Sequence, residues 1–127
     1  MYKEMIICVV LVVIIIIGDY ISQKYTKNTV EFLLDKSKIL KEALIDESDN
    51  KINEQIDTIR NKWLDVHDKL ACYIEHDELE KVETNFTACV SLSESKEYSQ
   101  AISELDKMNY VLEHIENKYS FNLVNIF

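Results

Sequence analysis

The chain opens on an uninterrupted apolar stretch and continues as a series of amphipathic stripes. Met5–Gly18 contains no charged or strongly polar side chain, and Asp19 ends the run. The apolar residues cover the whole circumference of a helix, which is typical of a membrane span. A full span needs about 20 mainly apolar residues, so this one must also include Asp19 to Ile21. We expect a transmembrane anchor over residues 1–23, with Asp19 at the lipid interface and not in the middle of the bilayer.

Two other interpretations of the apolar run stay open. A signal peptide also has a short apolar core, but Gly18–Ser22 offers no pair of small residues for cleavage. A core helix of a soluble protein is the other alternative, although such a helix normally has a polar face. The lysines favour a cytoplasmic body, because Lys3 precedes the run whereas Lys24 and Lys27 follow it. This charge rule is weak for a body of about a hundred residues, because long domains are translocated largely regardless of charge.

Four stripes of apolar residues follow the anchor, each spaced by three and four positions as on one face of an α-helix. The first continues from the anchor without a break to about Leu44, and the second is the cleanest heptad of the chain, with Trp63 at its centre. We expect Trp63 to be a core residue, because large aromatic side chains dominate core burial. The predicted helices are residues 24–45, 51–74, 77–92 and 95–119.

Polar stretches between the stripes predict short turns. Asp77 with Glu80 has the form of a capping box at the start of the third helix, and Ser93 or Ser95 is placed to cap the fourth. Gly18 is the only glycine and proline is absent, so polar residues must make the turns. Consecutive helices joined by short turns run antiparallel, which predicts an all-α fold: an up-down four-helix bundle that continues from the anchor. A solenoid of two helical hairpins is the alternative, but the two halves share no repeat.

Charge restricts the partners of this body. The 127-residue chain has a net charge of −9, and the part from Lys24 onward carries 13 basic and 21 acidic residues, a net charge of −8. Such a body repels phosphate, and its lysines are interleaved with acids, so we expect no nucleic-acid partner. The outer heptad positions carry mixed charges, which leaves a homo-oligomer open.

The cysteines do not form a disulfide framework. Cys8 lies in the apolar run, and only Cys72 and Cys89 lie in the body. In an antiparallel hairpin these two are offset by roughly 13 Å along the helix axes, whereas a disulfide needs Cα atoms within about 7 Å. We expect both thiols to be free and to face the core.

Candidate metal ligands are sparse. His76, Glu80 and Glu83 lie at i, i+4 and i+7 of the third helix, and His114 approaches from the fourth, so that nitrogen and carboxylate ligands could meet. The strong metal spacings are absent from the sequence, and acids in a first helical turn are expected from the helix dipole. These four residues are therefore weak candidates, and we predict no metal and no cofactor. No cysteine or serine has a base at a spacing that predicts nucleophilic catalysis, so we do not expect an enzyme. His67, between two aspartates, is most simply a surface side chain.

The apolar tail, residues 120–127, has two interpretations. In an up-down bundle the fourth helix returns to the membrane, so the tail starts there. It either closes the open end of the bundle or contacts the lipid interface or a protein partner. The residues expected to make such contacts are Phe121, Leu123, Ile126 and Phe127.

Several short segments carry a resemblance to a family. They are the Trp63 helix, the stretches Tyr73–Leu79 and Val111–Ile115, and the ending Asn125–Phe127, which follow the short span in this order. With them the chain resembles domain of unknown function family 4363, small single-span proteins of low-GC Gram-positive bacteria, over essentially its full length. The resemblance implies a membrane-tethered helical domain outside the cytoplasm with no established activity.

Two classes of function follow. The first is a membrane-tethered scaffold or interaction module, in which the acidic outer face or the apolar tail recruits another envelope protein. The second is an extracytoplasmic bundle that senses a small ligand or a metal in a pocket between the helices near His76 and His114. The first is favoured, because the stripes are almost wholly apolar and ligand sites in bundles need inward-pointing polar groups.

Overall fold

The structure of the protein is a computed structural model that describes residues 1–120. It consists of four helices in succession, which are α1 Tyr2–Ile45, α2 Asp49–Ala71, α3 His76–Glu94 and α4 Tyr98–Ser120. No strand occurs in this part of the chain. The predicted all-α fold, an apolar helix that leads into a helical bundle, is confirmed.

Helix α1 has two parts with different surroundings. Its first part is long and apolar enough to cross a membrane, and none of its most apolar window is buried within the protein. From Thr26 onward the same helix buries one face in the bundle. The predicted continuity of the apolar run with the first bundle helix is confirmed, and no kink-forming proline or glycine interrupts the helix after Gly18.

The helices enclose an apolar core but do not pack equally closely. Helix α4 packs along both α1 and α3, and α2 packs along α1, whereas α2 and α3 meet at only a few positions. The order around the bundle is therefore α2, α1, α4, α3, with an open seam between its two ends. The largest fully buried apolar residues are Leu33, Leu40, Leu44, Leu79, Leu105, Met108, Leu112 and Ile115.

Two of the three turns contain a left-handed residue that is not glycine. Glu47 has a φ of 55° and Lys96 a φ of 60°. After α1, the amide of Ser48 donates to the carbonyl of Ala43 at 3.1 Å, which is the long hydrogen bond of a Schellman motif. The same pattern follows α3. Helix ends that usually require glycine are closed here by charged residues.

Two predicted caps are wrong. Helix α3 begins one residue earlier than predicted, after Glu75, and no side chain caps it; Asp77 therefore lies inside the first turn and forms no capping box with Glu80. Ser95 is the C-cap residue that follows α3, and the Ser93 hydroxyl donates to a carbonyl of its own helix at 2.8 Å. Neither serine caps α4, because α3 extends further than predicted and α4 starts only at Tyr98.

The two body cysteines have different surroundings. Both thiols are free, as predicted, but Cys72 is exposed and only Cys89 is buried. The prediction that Cys72 faces the core is wrong because α2 ends at Ala71, three residues earlier than expected, which places Cys72 in the turn. Burial raises the pKa of the Cys89 thiol to about 11.

Candidate functional site

A groove of about 350 Å³ runs along the open seam between α2 and α3. Its floor is the far side of the bundle, formed by Leu33 of α1 and by Met108 and Leu112 of α4. Its walls come from α2 and α3, which meet at only a few positions. The remaining lining residues are Ile59, Arg60, Trp63 and Leu64 of α2 and Val82, Glu83, Phe86, Thr87 and Val90 of α3.

Apolar side chains at the groove are left accessible. Leu64 is 70% exposed at its edge, and Phe86 and Val90 are only partly buried. Ile59 and Trp63, two core residues of the second stripe, also line the groove, because α2 meets α3 at only a few positions. Contiguous apolar surface of this kind is typical of a binding site in a soluble domain.

One polar cluster joins the two walls of the groove. The indole Nε1 of Trp63 donates to Glu83 Oε1 at 2.9 Å. His67 Nε2 lies 3.2 Å from the same carboxylate oxygen, and the Trp63 and His67 rings meet edge to face with centroids 5.8 Å apart. The Glu83 carboxylate of α3 thus contacts two aromatic side chains of α2. These contacts fix the distance between α2 and α3 at this level of the groove.

The two charged residues that line the groove are both paired. Arg60 pairs with Asp57, with the closest nitrogen and oxygen 3.4 Å apart. Glu83, which is partly exposed, contacts Trp63 and His67. The groove therefore carries one positive and one negative side chain at its edge.

A second polar cluster lies at the end of the bundle nearest the apolar part of α1. The hydroxyls of Thr26 and Tyr73 are 2.6 Å apart, and the Tyr73 hydroxyl also donates to the Ser22 carbonyl at 3.3 Å. The Tyr119 ring meets the Tyr73 ring edge to face, and its hydroxyl accepts a hydrogen bond from the Glu75 amide at 3.0 Å. Burial raises the pKa values of both tyrosines. This network connects α1, the turn between α2 and α3, and the end of α4.

A buried carboxylate adjoins that network. Glu78 is only 7% exposed, and its Oε1 lies 3.1 Å from His114 Nε2 and 3.7 Å from Lys118 Nζ. Lys118 also donates to Glu75 at 3.1 Å, which raises the pKa of the lysine. The other oxygen of Glu78, Oε2, is buried and accepts no hydrogen bond from residues 1–120.

The four weak metal candidates are dispersed over three places. His76 and Glu80 face solvent, with nitrogen and oxygen 3.8 Å apart. Glu83 is turned towards α2, and His114 pairs with Glu78. Within residues 1–120, no group of three or more His, Cys, Asp or Glu side chains could hold a metal ion.

Sequence reasoning found part of this site. Trp63 is buried as predicted, but His67, predicted to be a simple surface residue, contacts Glu83. The signal for it was its spacing of four from Trp63, which puts both rings on one helical face. The burial of Glu78 had no signal, because an acid in a first helical turn is normally solvated. The predicted contact residues of the tail, Phe121, Leu123, Ile126 and Phe127, lie outside the described residues.

Comparison with known proteins gives a family. No curated protein and no solved structure matches the chain significantly. A family model with the description "Domain of unknown function (DUF4363)" matches residues 20–126, which is nearly the whole chain beyond the most apolar segment. The matched part contains all of α2, α3 and α4 and the half of α1 that enters the bundle. The protein is therefore a member of the DUF4363 family, as its short segments predicted.

Proposed function

We propose that the chain is a membrane-tethered binding module without catalytic activity, whose groove between α2 and α3 receives an apolar segment of another envelope protein. The groove is the observation that carries this proposal. It combines an apolar floor, the 70% exposed Leu64 and the polar contact between Trp63 and Glu83 within one concave surface. Concave apolar surfaces with a few polar groups at the edge are where proteins usually bind their ligands.

The tether is the second part of the proposal. The apolar first part of α1 supports a single-pass anchor, because it is long enough to span a bilayer and makes no buried contact in the bundle. The family resemblance implies that the body lies outside the cytoplasm. An impermeant thiol reagent applied to intact cells tests this on a Ser95→Cys variant, in which Cys72 and Cys89 are replaced by Ala. Labelling of intact cells supports an external body, whereas protection until lysis contradicts it.

The groove also indicates the chemistry of the partner. A helix with one apolar face fits a groove between two helices that meet at only a few positions, in the manner of helix-in-groove recognition. Because the body from Lys24 onward has a net charge of −8, a partner helix with lysines or arginines beside its apolar face is favoured.

A designed peptide tests the groove directly. The probe is an amphipathic leucine–lysine helix added to the detergent-solubilised chain, with the emission of Trp63, the only tryptophan, as the readout. We expect Leu64→Asp to weaken its binding about tenfold, since a lost apolar contact in an interface is worth about 1–2 kcal/mol. Ile45→Asp is the matched control, because Ile45 is 62% exposed but lies away from the groove. Equal affinities for both variants would contradict a groove-directed interaction.

A small apolar ligand is a second candidate occupant of the same groove. The volume of about 350 Å³ lies at the lower end of the range for ligand pockets, roughly 300–1,000 Å³. The cluster of Trp63, His67 and Glu83 supplies the few polar groups that such a pocket needs. A ligand of this class would raise the melting temperature of the full chain in the absence of any peptide, and Thr87→Trp, which fills the groove, would remove that increase.

A further inference from the structure

We infer that Lys36, Lys62 and Lys69 form a basic strip along α1 and α2 that binds an acidic helical segment of another protein. The three ammonium groups lie over two aromatic rings of α1, those of Tyr25 and Phe32. The strip is separate from the groove, which lies between α2 and α3. Either site can therefore exist without the other, and the two favour partners of opposite charge.

The two lysines of α2 lie over rings of α1 at two levels of the bundle. Lys69 Nζ lies 5.6 Å from the centroid of the Tyr25 ring, and Lys62 Nζ lies 5.0 Å from that of the Phe32 ring. The levels are seven residues apart on both helices, which is about 10 Å along the helix axes. Lys36 Nζ, on α1 itself, lies 5.5 Å from the Phe32 centroid. These cation–π contacts hold the three ammonium groups on one face.

Acids of the same chain do not neutralise the strip. Asp65 lies three residues after Lys62 and four before Lys69, spacings at which opposite charges usually pair on a helix. On the same helix, Arg60 pairs with Asp57 across three positions. Within residues 1–120, however, none of the three lysines of the strip forms an ion pair. Their positive charge is therefore available to an anion from outside the chain.

Lys36 and Lys62 converge on the same ring. Both ammonium groups lie within 5.5 Å of the Phe32 centroid, so they repel each other, and the ring face offers them only a partial negative charge. A carboxylate beside the ring would offset this repulsion and accept a charge-assisted hydrogen bond from a lysine. Phe32 is itself exposed and supplies an apolar contact at the same place. The position therefore fits an acidic side chain next to an apolar one.

The distance between the two levels favours a helix as the occupant. In an α-helix, residues seven apart lie on one face and about 10 Å apart along the axis, which is the separation of the two levels of the strip. A helix with glutamates one heptad apart can therefore place one carboxylate at Lys69 and the other between Lys36 and Lys62. An apolar residue between the glutamates would then contact the rings.

Other anionic partners match the strip less well. Under the proposed tether, Phe32 lies fourteen residues beyond Gly18 on α1, about 21 Å along the helix axis. The headgroup region on one side of a bilayer is about 5–8 Å thick, so lipid phosphates do not reach the upper level. A nucleic acid would bring many phosphates close to a body of net charge −8, which repels them.

Fluorescence anisotropy of a labelled peptide tests the strip on the full chain in neutral detergent. The probe is an alanine-rich helix with two glutamates one heptad apart and a leucine between them, and the same peptide with glutamines in place of the glutamates is its control. The test protein carries Lys36→Gln and Lys62→Gln. The matched control protein carries Lys81→Gln and Lys107→Gln, because these lysines are exposed on α3 and α4 and their loss changes the net charge equally.

We expect Lys36→Gln with Lys62→Gln to weaken binding of the glutamate peptide about tenfold, which is about 1.4 kcal/mol, with unchanged helical circular dichroism. The control protein should lose about twofold at most, since only long-range attraction is reduced. Equal losses in the two proteins would overturn the inference, because the peptide would then respond to net charge alone. Equal affinity of the glutamine peptide would overturn it as well. A matching loss in Leu64→Asp would place the peptide in the groove and also contradict a separate strip.

Discussion

Two residues in left-handed conformations follow the ends of helices in this bundle. Glu47 and Lys96 adopt positive φ values at the residue after a helix end, where glycine is normally used. A side chain in that conformation costs about 1 kcal/mol relative to glycine. The chain has charged residues at both positions, so its free energy of unfolding is lower than it would be with glycine there.

Glycine at these positions should therefore stabilise the protein. We expect Glu47→Gly to raise the free energy of unfolding by about 1 kcal/mol, because the left-handed conformation then carries no Cβ penalty. Thermal unfolding of the full chain in detergent measures it. Asp46→Gly is the control, since Asp46 has a φ of −79° and glycine there can only increase the entropy of the unfolded chain. An equal rise in both variants would contradict the explanation.

The two body thiols should differ in reactivity. Cys72 is exposed in a turn, whereas Cys89 is completely buried and its pKa is raised from 9.0 to about 11 by burial. At pH 8 a maleimide should modify Cys72 rapidly and Cys89 only when the bundle opens. When both Cys8 and Cys72 are replaced by Ala, only the slow reaction of Cys89 should remain. Rapid labelling of that variant would mean that the bundle is open around Cys89.

The same thiol makes stability fall at alkaline pH. The folded state keeps the Cys89 proton up to about pH 11, whereas the unfolded chain releases it near pH 9. Between these values the unfolded state binds fewer protons, so the free energy of unfolding decreases as pH rises. Cys89→Ala should remove this component, which is measured by comparing urea midpoints of the two proteins at pH 8.5 and 10.5. An unchanged pH dependence would contradict it.

At the scale of elements, periodicity located the helices but not the contacts between them. The apolar stripes predicted four helices, since three-and-four spacing reports directly which face is buried. Apart from the start of the first helix, which continues the apolar run, the predicted ends lie within three residues of those observed. They did not reveal that α2 and α3 meet at only a few positions, because an apolar stripe does not specify which neighbouring helix packs against it. Helix caps were also missed, since competing carbonyl acceptors lie within reach of Ser93 and Ser95.

The hydrogen bond between Trp63 and Glu83 should be a principal link between α2 and α3. Trp63→Phe removes the indole donor and leaves most of the packing, so we expect a loss of about 1–2 kcal/mol, in the range for hydrogen bonds to charged groups. When Glu83→Ala is added to Trp63→Phe, the free energy of unfolding should fall little further. A double-mutant cycle measures the coupling between the two residues. Glu83→Gln keeps an acceptor oxygen and serves as the control. Strictly additive effects would show that this contact does not couple the helices.

For the whole molecule, uneven packing predicts an order of opening. Helix α4 packs against two neighbouring helices, whereas α2 packs mainly against α1. Local unfolding should therefore begin at α2. Hydrogen exchange of the full chain in lipid nanodiscs should show faster exchange of α2 amides than of the α4 amides between Ala101 and Leu112. Peptide binding in the groove should slow exchange in α2 most. Equal protection of both helices would contradict this order.

In the proposed tethered arrangement, the unbroken course of α1 also fixes a distance. Leu33, in the floor of the groove, lies fifteen residues beyond Gly18 on one continuous helix, which is about 22 Å along the helix axis from the apolar run. Under the proposed tether, and without a flexible joint, the groove would stand at one height over the bilayer. A partner anchored in the same membrane would then need a stalk of matching length in front of its recognition segment, so its reach alone could exclude it.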